Sequence, residues 1–453
     1  MNKEKFKNYI FENDVLHYES FINEFTPEIF KEFDSKAEKL GLISKIEDLF
    51  SGNKVNYTEG LAAWHPSYRQ KNYRTANMKY RGTQAPAYFD NQHVSQFDES
   101  FNTTEIFKGV KNLVTIGIGG SFEGPKLLIE SLVGSSGDLF NQVFITGSDP
   151  SEFQEKTKNL NPKRTLFIVS SKSFTTEETL ATLNDAIKWS GDMDRFVAIT
   201  ANKSEASKRN IKHILEFDKE IGGRYSIWSD ISLSAFYELS KLGKNSFFEG
   251  GFQADLDLLG NEEYLKFIKT LAYSDIWLHN FKNKTCRAVL SYSWKLRSFP
   301  DYVQQLEMES LGKPASKEAE FKKTGQIIFG GYGPTAQHSY FQLLHQGTQE
   351  ICADFIASKE DPTSLSYAQA ITQARLLSNG ADDLSDEKER INGNVPVNLF
   401  LLNKVDPFTL GYLIATWEHR TYITAAMLKI NPFDQFGVSA GKIYTKKYLT
   451  EKD

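Results

Sequence analysis

The chain has 453 residues, a formal net charge of −5, and is 40% hydrophobic and 13% aromatic. That length exceeds what one hydrophobic core usually serves, so two or three domains are expected. A net negative chain has no global positive field to gather nucleic acid or an anionic membrane surface, so an anionic ligand has to be met by local donors.

Residues 1–95 read as a mostly helical N-terminal extension, with apolar residues at helical spacing around Phe6, Ile10, Phe21, Phe25 and Phe30; residues 71–96 look polar, aromatic and irregular. Short apolar strands then alternate with helical stretches: 113–116, 143–146, 166–169 and 196–200, with helices expected after Gly124-Pro125 and from about Thr176. This spacing predicts a first α/β domain over 96–245 with a covered, mostly parallel sheet. The pattern becomes helical and restarts, with strands at 288–292, 326–329 and 397–402 and a helix over 410–429, giving a second α/β domain over 265–430. Residues 431–453 form a C-terminal segment.

No apolar run approaches the ~20 residues of a membrane span, and the first residues lack the apolar core of a signal peptide. No membrane partner is expected, and the cytoplasm is the expected location. Cys286 and Cys352 read as buried structural thiols. None of the eight histidines pairs with another histidine or a cysteine at a metal-ligand spacing, so no metal site is expected.

Five segments carry chemistry. Gly117-Ile-Gly119-Gly120-Ser121 follows a strand and opens a helix, where backbone amides can approach an anion. It is neither a dinucleotide fingerprint nor a P-loop, and a tight turn without ligand would look the same. Ser171-Lys172-Ser173-Phe-Thr-Thr176 also follows a strand and offers hydroxyls and amides to a phosphate, or simply caps a helix. Gly222-Gly223-Arg224 presents a permanently charged guanidinium. In Gln305-Leu-Glu307-Met-Glu309 the two acids differ by two positions and should face different sides of a helix, so they do not read as an acid–base pair. His338 and His345 are too far apart to share one ion comfortably, and His345 reads as a core or interface histidine.

Taken together, these segments resemble the phosphoglucose isomerase (glucose-6-phosphate isomerase) family. The likeness covers Ile-Gly-Ile-Gly-Gly-Ser at 116–121, Ser171–Thr176 with Ser173 for Thr, Gly-Gly-Arg-Tyr-Ser at 222–226, and Gln305–Lys313 with Leu311 for Asn. It continues through 336–348 and Asn431–Lys442, with Phe436 for Trp, and begins at Asn56-Tyr-Thr58-Glu59 with His65 and Arg69. Further departures are Leu61 for Arg and Gly333–Ala336 before Gln337-His338. The resemblance implies two sugar-isomerase (SIS) α/β domains with helical N- and C-terminal extensions. The implied reaction is reversible isomerisation of glucose 6-phosphate and fructose 6-phosphate, in glycolysis and gluconeogenesis, through a cis-enediol(ate) and without cofactor. It gives Glu309 the proton transfer, Arg224 the enediolate, and His338 and Lys442 the ring opening. Substrate binding falls to Gly120, Ser121, Ser171, Lys172, Ser173, Thr176, Gln305 and Gln435. It also implies a homodimer in which His338 crosses the interface. Two neighbouring readings are an isomerase that also accepts mannose 6-phosphate and a sugar-phosphate sensor without turnover.

Overall fold

The structure is a computed structural model that describes residues 9–69, 79–80, 83–84, 103–134, 139–239 and 243–451, without the side chains of 79–80, 83–84 and 103–104. The irregular stretch expected at 71–96 lies almost wholly outside the described residues. The chain opens with strands β1 (Ile10–Glu12) and β2 (Leu16–Ser20) and helices α1 (Pro27–Lys39) and α2 (Leu42–Phe50). Five strands follow: β3 (Asn112–Ile116), β4 (Asn141–Ile145), β5 (Thr165–Ser170), β6 (Phe196–Thr200) and β7 (His213–Glu216). Helix α3 (Gly120–Leu132) leaves β3, and α4 (Glu177–Ser190) follows β5. Helices α5 (Lys244–Gly260) and α6 (Glu262–Phe281) lead to the second sheet. That sheet takes β8 (Cys286–Ser291), β9 (Ile327–Tyr332), β10 (Ile351–Ser358) and β11 (Val397–Leu402). Helix α7 (Phe299–Leu311) lies between β8 and β9, α8 (Pro407–Leu428) follows β11, and α9 (Ser439–Thr450) ends the chain.

The first sheet is wholly parallel, in the order β4-β3-β5-β6-β7. Chain order reverses between β3 and β5. Parallel sheets hold ligands outside the carboxyl ends of their strands at such a switch point, and the loops after β3 and β5 are the two phosphate-type loops of the sequence. The second sheet runs β1-β2-β11-β10-β8-β9. Its four later strands are parallel, and β2 adds antiparallel to β11, Leu399 opposite Glu19. The N-terminal segment is therefore not only helical: residues 10–20 form two strands. β2 buries Leu16, Tyr18 and Ser20 alternately, the period of a half-covered strand.

Helix α8 is buried along nearly its whole length. Asp406 caps it, accepting from the Thr409 amide at 2.9 Å, with Pro407 at its first position. Its middle carries Glu418, His419 and Arg420 into the interior. Arg420 donates to Asp354 on β10 and Asp275 on α6, each at 2.7 Å, and Arg287 on β8 donates to Asp275 at 2.6 Å and to Glu307 on α7. Two arginines thus meet three carboxyls, and burial pushes Glu307 above the usual carboxylate range. In a second cluster Arg69 meets Asp255 and Glu418. These pairs tie α5, α6, α7 and α8 to the second sheet behind the site.

Candidate active site

Helix α7 explains why Glu307 and Glu309 part company. Tyr302, Val303, Leu306, Glu307 and Ser310 are buried on its inner side. Gln305 and Glu309, one turn apart, share the other side, and the Gln305 Nε2 donates to Glu309 Oε2 at 3.2 Å. Glu309 is 28% exposed and borders a cavity of about 810 Å³.

Arg224 reaches Glu309 from the turn that follows β7, Nη1 to Oε2 at 3.3 Å. Its guanidinium is almost completely buried, and each nitrogen has a partner. Nε donates to Ser310 Oγ at 2.8 Å, Nη1 to Gln435 Oε1 at 2.9 Å, and Nη2 to the carbonyls of Pro432 at 2.5 Å and Asp434 at 2.8 Å. Tyr225 OH lies 3.0 Å from the same Ser310 oxygen. Lys313 donates to the Glu309 carbonyl at 2.7 Å and pairs with Asp434 at 3.3 Å; burial and the Arg224 charge lower its pKa. A flat five-donor fork in so many bonds has little rotational freedom.

The glycines bring the loops together. A β-carbon on Gly120 would stand 1.8 Å from the Gly223 carbonyl oxygen, and one on Gly119 would stand 2.9 Å from Gln305 Nε2. Gly119 also has φ +60°, which favours glycine. Helix α3 starts at Gly120, earlier than the sequence suggested, so Ser121 sits in its first turn. In the loop after β5, Ser171 Oγ accepts from the Phe174 amide at 3.2 Å and lies 3.1 Å from Thr176 Oγ1. Ser173 Oγ accepts from Thr175 Oγ1 at 2.8 Å. Phe174 anchors the loop with a fully buried ring and a left-handed φ of 54°. Burial lowers the Lys172 pKa, and the charges it feels include Arg224.

Glu309, Arg224, Gln305 and Gln435 therefore meet, and Gly120 packs against the backbone of Gly223 and Arg224. Ser121, Ser171, Lys172, Ser173 and Thr176 line the two loops at the switch point. His338 caps a short helix (Gly333–Gln337) and is exposed, and Lys442 is exposed on α9, which buries none of its residues. Among the described residues neither is hydrogen-bonded or ion-paired to Glu309 or Arg224. Leu311 packs at the core, 5% exposed, and lines no part of the cavity. Gly333 faces the Tyr292 ring, which a β-carbon would approach to 2.3 Å. Sequence reasoning missed Ser310 and the carbonyls of Pro432 and Asp434. Ser310 stands beside Glu309 in the same motif, a usable signal; a backbone acceptor leaves none. Among the described residues no group of three or more histidine, cysteine or acidic side chains is placed to hold a metal ion.

A two-sheet α/β frame that sets a carboxylate against a buried arginine, beside two hydroxyl-lined loops, has the layout of a sugar-phosphate isomerase. The family model described as phosphoglucose isomerase matches residues 21–453. The glucose-6-phosphate isomerase of Aspergillus oryzae is 32% identical over 484 residues, covering 98% of this chain and 87% of that one. That of Legionella pneumophila (strain Lens) is 33% identical, covering 90% and 83%. The chain belongs to the phosphoglucose isomerase family. Among solved structures, a glucose-6-phosphate isomerase from Chlamydia trachomatis superposes with a TM-score of 0.83 at 24% identity, covering 98% of this chain and 90% of that one. A hypothetical protein from Thermus thermophilus gives 0.70 at 22%, covering 96% and 99%. Both share the fold.

Proposed function

We propose that this protein interconverts glucose 6-phosphate and fructose 6-phosphate by proton transfer through a cis-enediolate, with Glu309 as the base. The observation that carries the reading is the Glu309–Arg224 pair, 3.3 Å apart. In the open-chain aldose, Glu309 takes the proton from C2 and returns it to C1. As the proton arrives, negative charge leaves the carboxylate and appears on the enediolate oxygens. A guanidinium that faces both keeps a partner throughout, and its bonds to Ser310 and the two carbonyls fix it before the charge moves. Positioned acid–base catalysis of this kind contributes about 10²–10⁴-fold.

The phosphate is held by Ser121, Ser171, Ser173 and Thr176 with the amides of their loops, and Gln305 and Gln435 face the sugar. His338 and Lys442 open the ring. Both are exposed, and the exposure of His338 suits a homodimer in which it enters the partner's site. A cytoplasmic location belongs to the same proposal.

A coupled assay with fructose 6-phosphate tests the reaction directly. Glu309→Gln should abolish turnover and leave binding of a non-reactive sugar phosphate within a few-fold. Full turnover in that variant refutes the assignment of the base; binding without turnover in the parent protein refutes the reaction.

A further inference from the structure

On the far side of the wall that carries Asp434 lies a second cleft of about 610 Å³, lined by Lys39, Lys45, Lys54 and Lys429 with the rings of Tyr57 and Tyr422. We propose that this cleft is an accessory binding site for a sugar-sized phosphate monoester, distinct from the catalytic cavity.

Charge selects the ligand. The four ammonium groups have no ion pair among the described residues. One acid, Asp48, lines the cleft, and its carboxylate already accepts from Asn53 Nδ2 at 2.6 Å. Three positive charges are left over. Helices α1 and α8 end at the cleft, at Leu40 and Lys429, and each carbonyl end is equivalent to roughly half a negative charge. The surplus is then about two positive charges, which a phosphate monoester dianion matches at about −1.5 to −2. A triphosphate would overshoot it, and a neutral sugar would leave it unanswered. This local excess stands out in a chain whose net charge is −5.

Shape selects the rest of the ligand. The volume exceeds that of a phosphate group alone, and the exposed Tyr57 ring offers an apolar face to the C–H surface of a sugar, beside the buried Tyr422 whose hydroxyl donates to the Lys45 carbonyl at 2.7 Å. Lys429 is held at φ 58°, a backbone conformation costly for a residue with a side chain. There it lines both this cleft and the catalytic cavity, as do Tyr57 and Ile430. The wall between them is stitched by Asn431 Nδ2 donating to Asn56 Oδ1 at 2.8 Å and Thr58 Oγ1 donating to Asp434 Oδ2 at 2.8 Å. The same wall supplies the Pro432 and Asp434 carbonyls that hold Arg224. A ligand in the cleft bears on the frame of Arg224 from behind.

The test reads binding, so it stands apart from the isomerase assignment. The full chain is titrated calorimetrically with sorbitol 6-phosphate, which has no carbonyl to isomerise, and in parallel with inorganic phosphate. Two binding events are expected for sorbitol 6-phosphate. Lys45→Ala/Lys54→Ala should weaken one by about tenfold or more and leave the other within about twofold, and raising salt from about 50 to 200 mM should weaken that same event. Ser171→Ala/Thr176→Val should affect only the other. Both lysines are exposed, so the thermal midpoint should hold and report intact folding. A single event, or two events indifferent to the lysines, overturns the proposal. Inorganic phosphate binding the lysine-dependent site as tightly as sorbitol 6-phosphate overturns its sugar-binding part.

Discussion

Gly120 lies so close to Gly223 that a β-carbon on the first would stand 1.8 Å from the carbonyl oxygen of the second. The contact joins the start of α3 to the turn that carries Arg224. It is one-sided, since a β-carbon on Gly223 would meet nothing within 4 Å. Gly120→Ala should therefore force the two loops apart, with an overpacking cost of about 1–3 kcal/mol, and should lower kcat by displacing Arg224. Gly223→Ala should leave both close to the parent values. Thermal midpoints and steady-state kinetics on the pair decide it; equal effects would show that backbone freedom, not contact, is what the glycines supply.

Ser310 offers a finer test of the same frame. Its hydroxyl accepts from Arg224 Nε at 2.8 Å and meets Tyr225 OH at 3.0 Å. Ser310→Ala leaves a buried, charged donor without a partner, a loss of about 1–3 kcal/mol. Because Arg224 works on charge that develops in the reaction, kcat should fall about tenfold with little change in KM. A rise in KM at constant kcat would assign the serine to ground-state binding instead.

The subunit question has an arithmetic answer. If His338 acts across a two-fold interface, a hybrid of Glu309→Gln and His338→Ala chains contains one site with both lesions and one with neither. Mixing the two inactive proteins under subunit exchange should restore about a quarter of parental activity, since about half the dimers are hybrids and half their sites are intact. If His338 serves its own chain, no hybrid site is complete and nothing returns.

Much of this was legible in the sequence. The strands at 113–116, 166–169 and 196–200 are mostly apolar runs without a charge, and the structure has them within a residue or two. β10 was not legible, because Asp354 interrupts its apolar run. That charge is tolerable only beside Arg420 and Arg287, which come from α8 and β8. β1 and β2 were hidden for a similar reason: β2 pairs with β11, nearly the whole chain away, and β1 reaches the sheet only through β2. In the site, Glu309 and Arg224 announced themselves by residue type and motif. Their support did not, because two carbonyls and a glycine–glycine contact have no side-chain signature.

The buried clusters make a stability prediction. Arg420 is the shared partner of Asp275 and Asp354. Arg420→Met removes the cation and leaves buried carboxylates facing Arg287 alone, a loss of about 3–5 kcal/mol. Urea unfolding should show it as a lowered midpoint. A loss below about 1 kcal/mol would mean that water or rearrangement reaches the cluster.

Glu418 should make stability depend on pH. It shares Arg69 with Asp255 and accepts from Trp228 Nε1 at 2.9 Å. Burial pushes its carboxyl up from 4.5 to about 7, against the pull of Arg69. The folded protein thus binds this proton more tightly than the unfolded chain does. The resulting stabilisation is complete below about pH 4.5 and is lost as pH rises through about 7. Glu418→Gln cannot titrate but still offers an oxygen to Arg69 or Trp228. Its stability should fall less than the parent's between about pH 5 and pH 8. Glu123, which burial also pushes up to about 7, is present in both proteins and cancels in the comparison. Urea midpoints at the two pH values supply the measurement, and parallel curves would place the Glu418 proton outside this range.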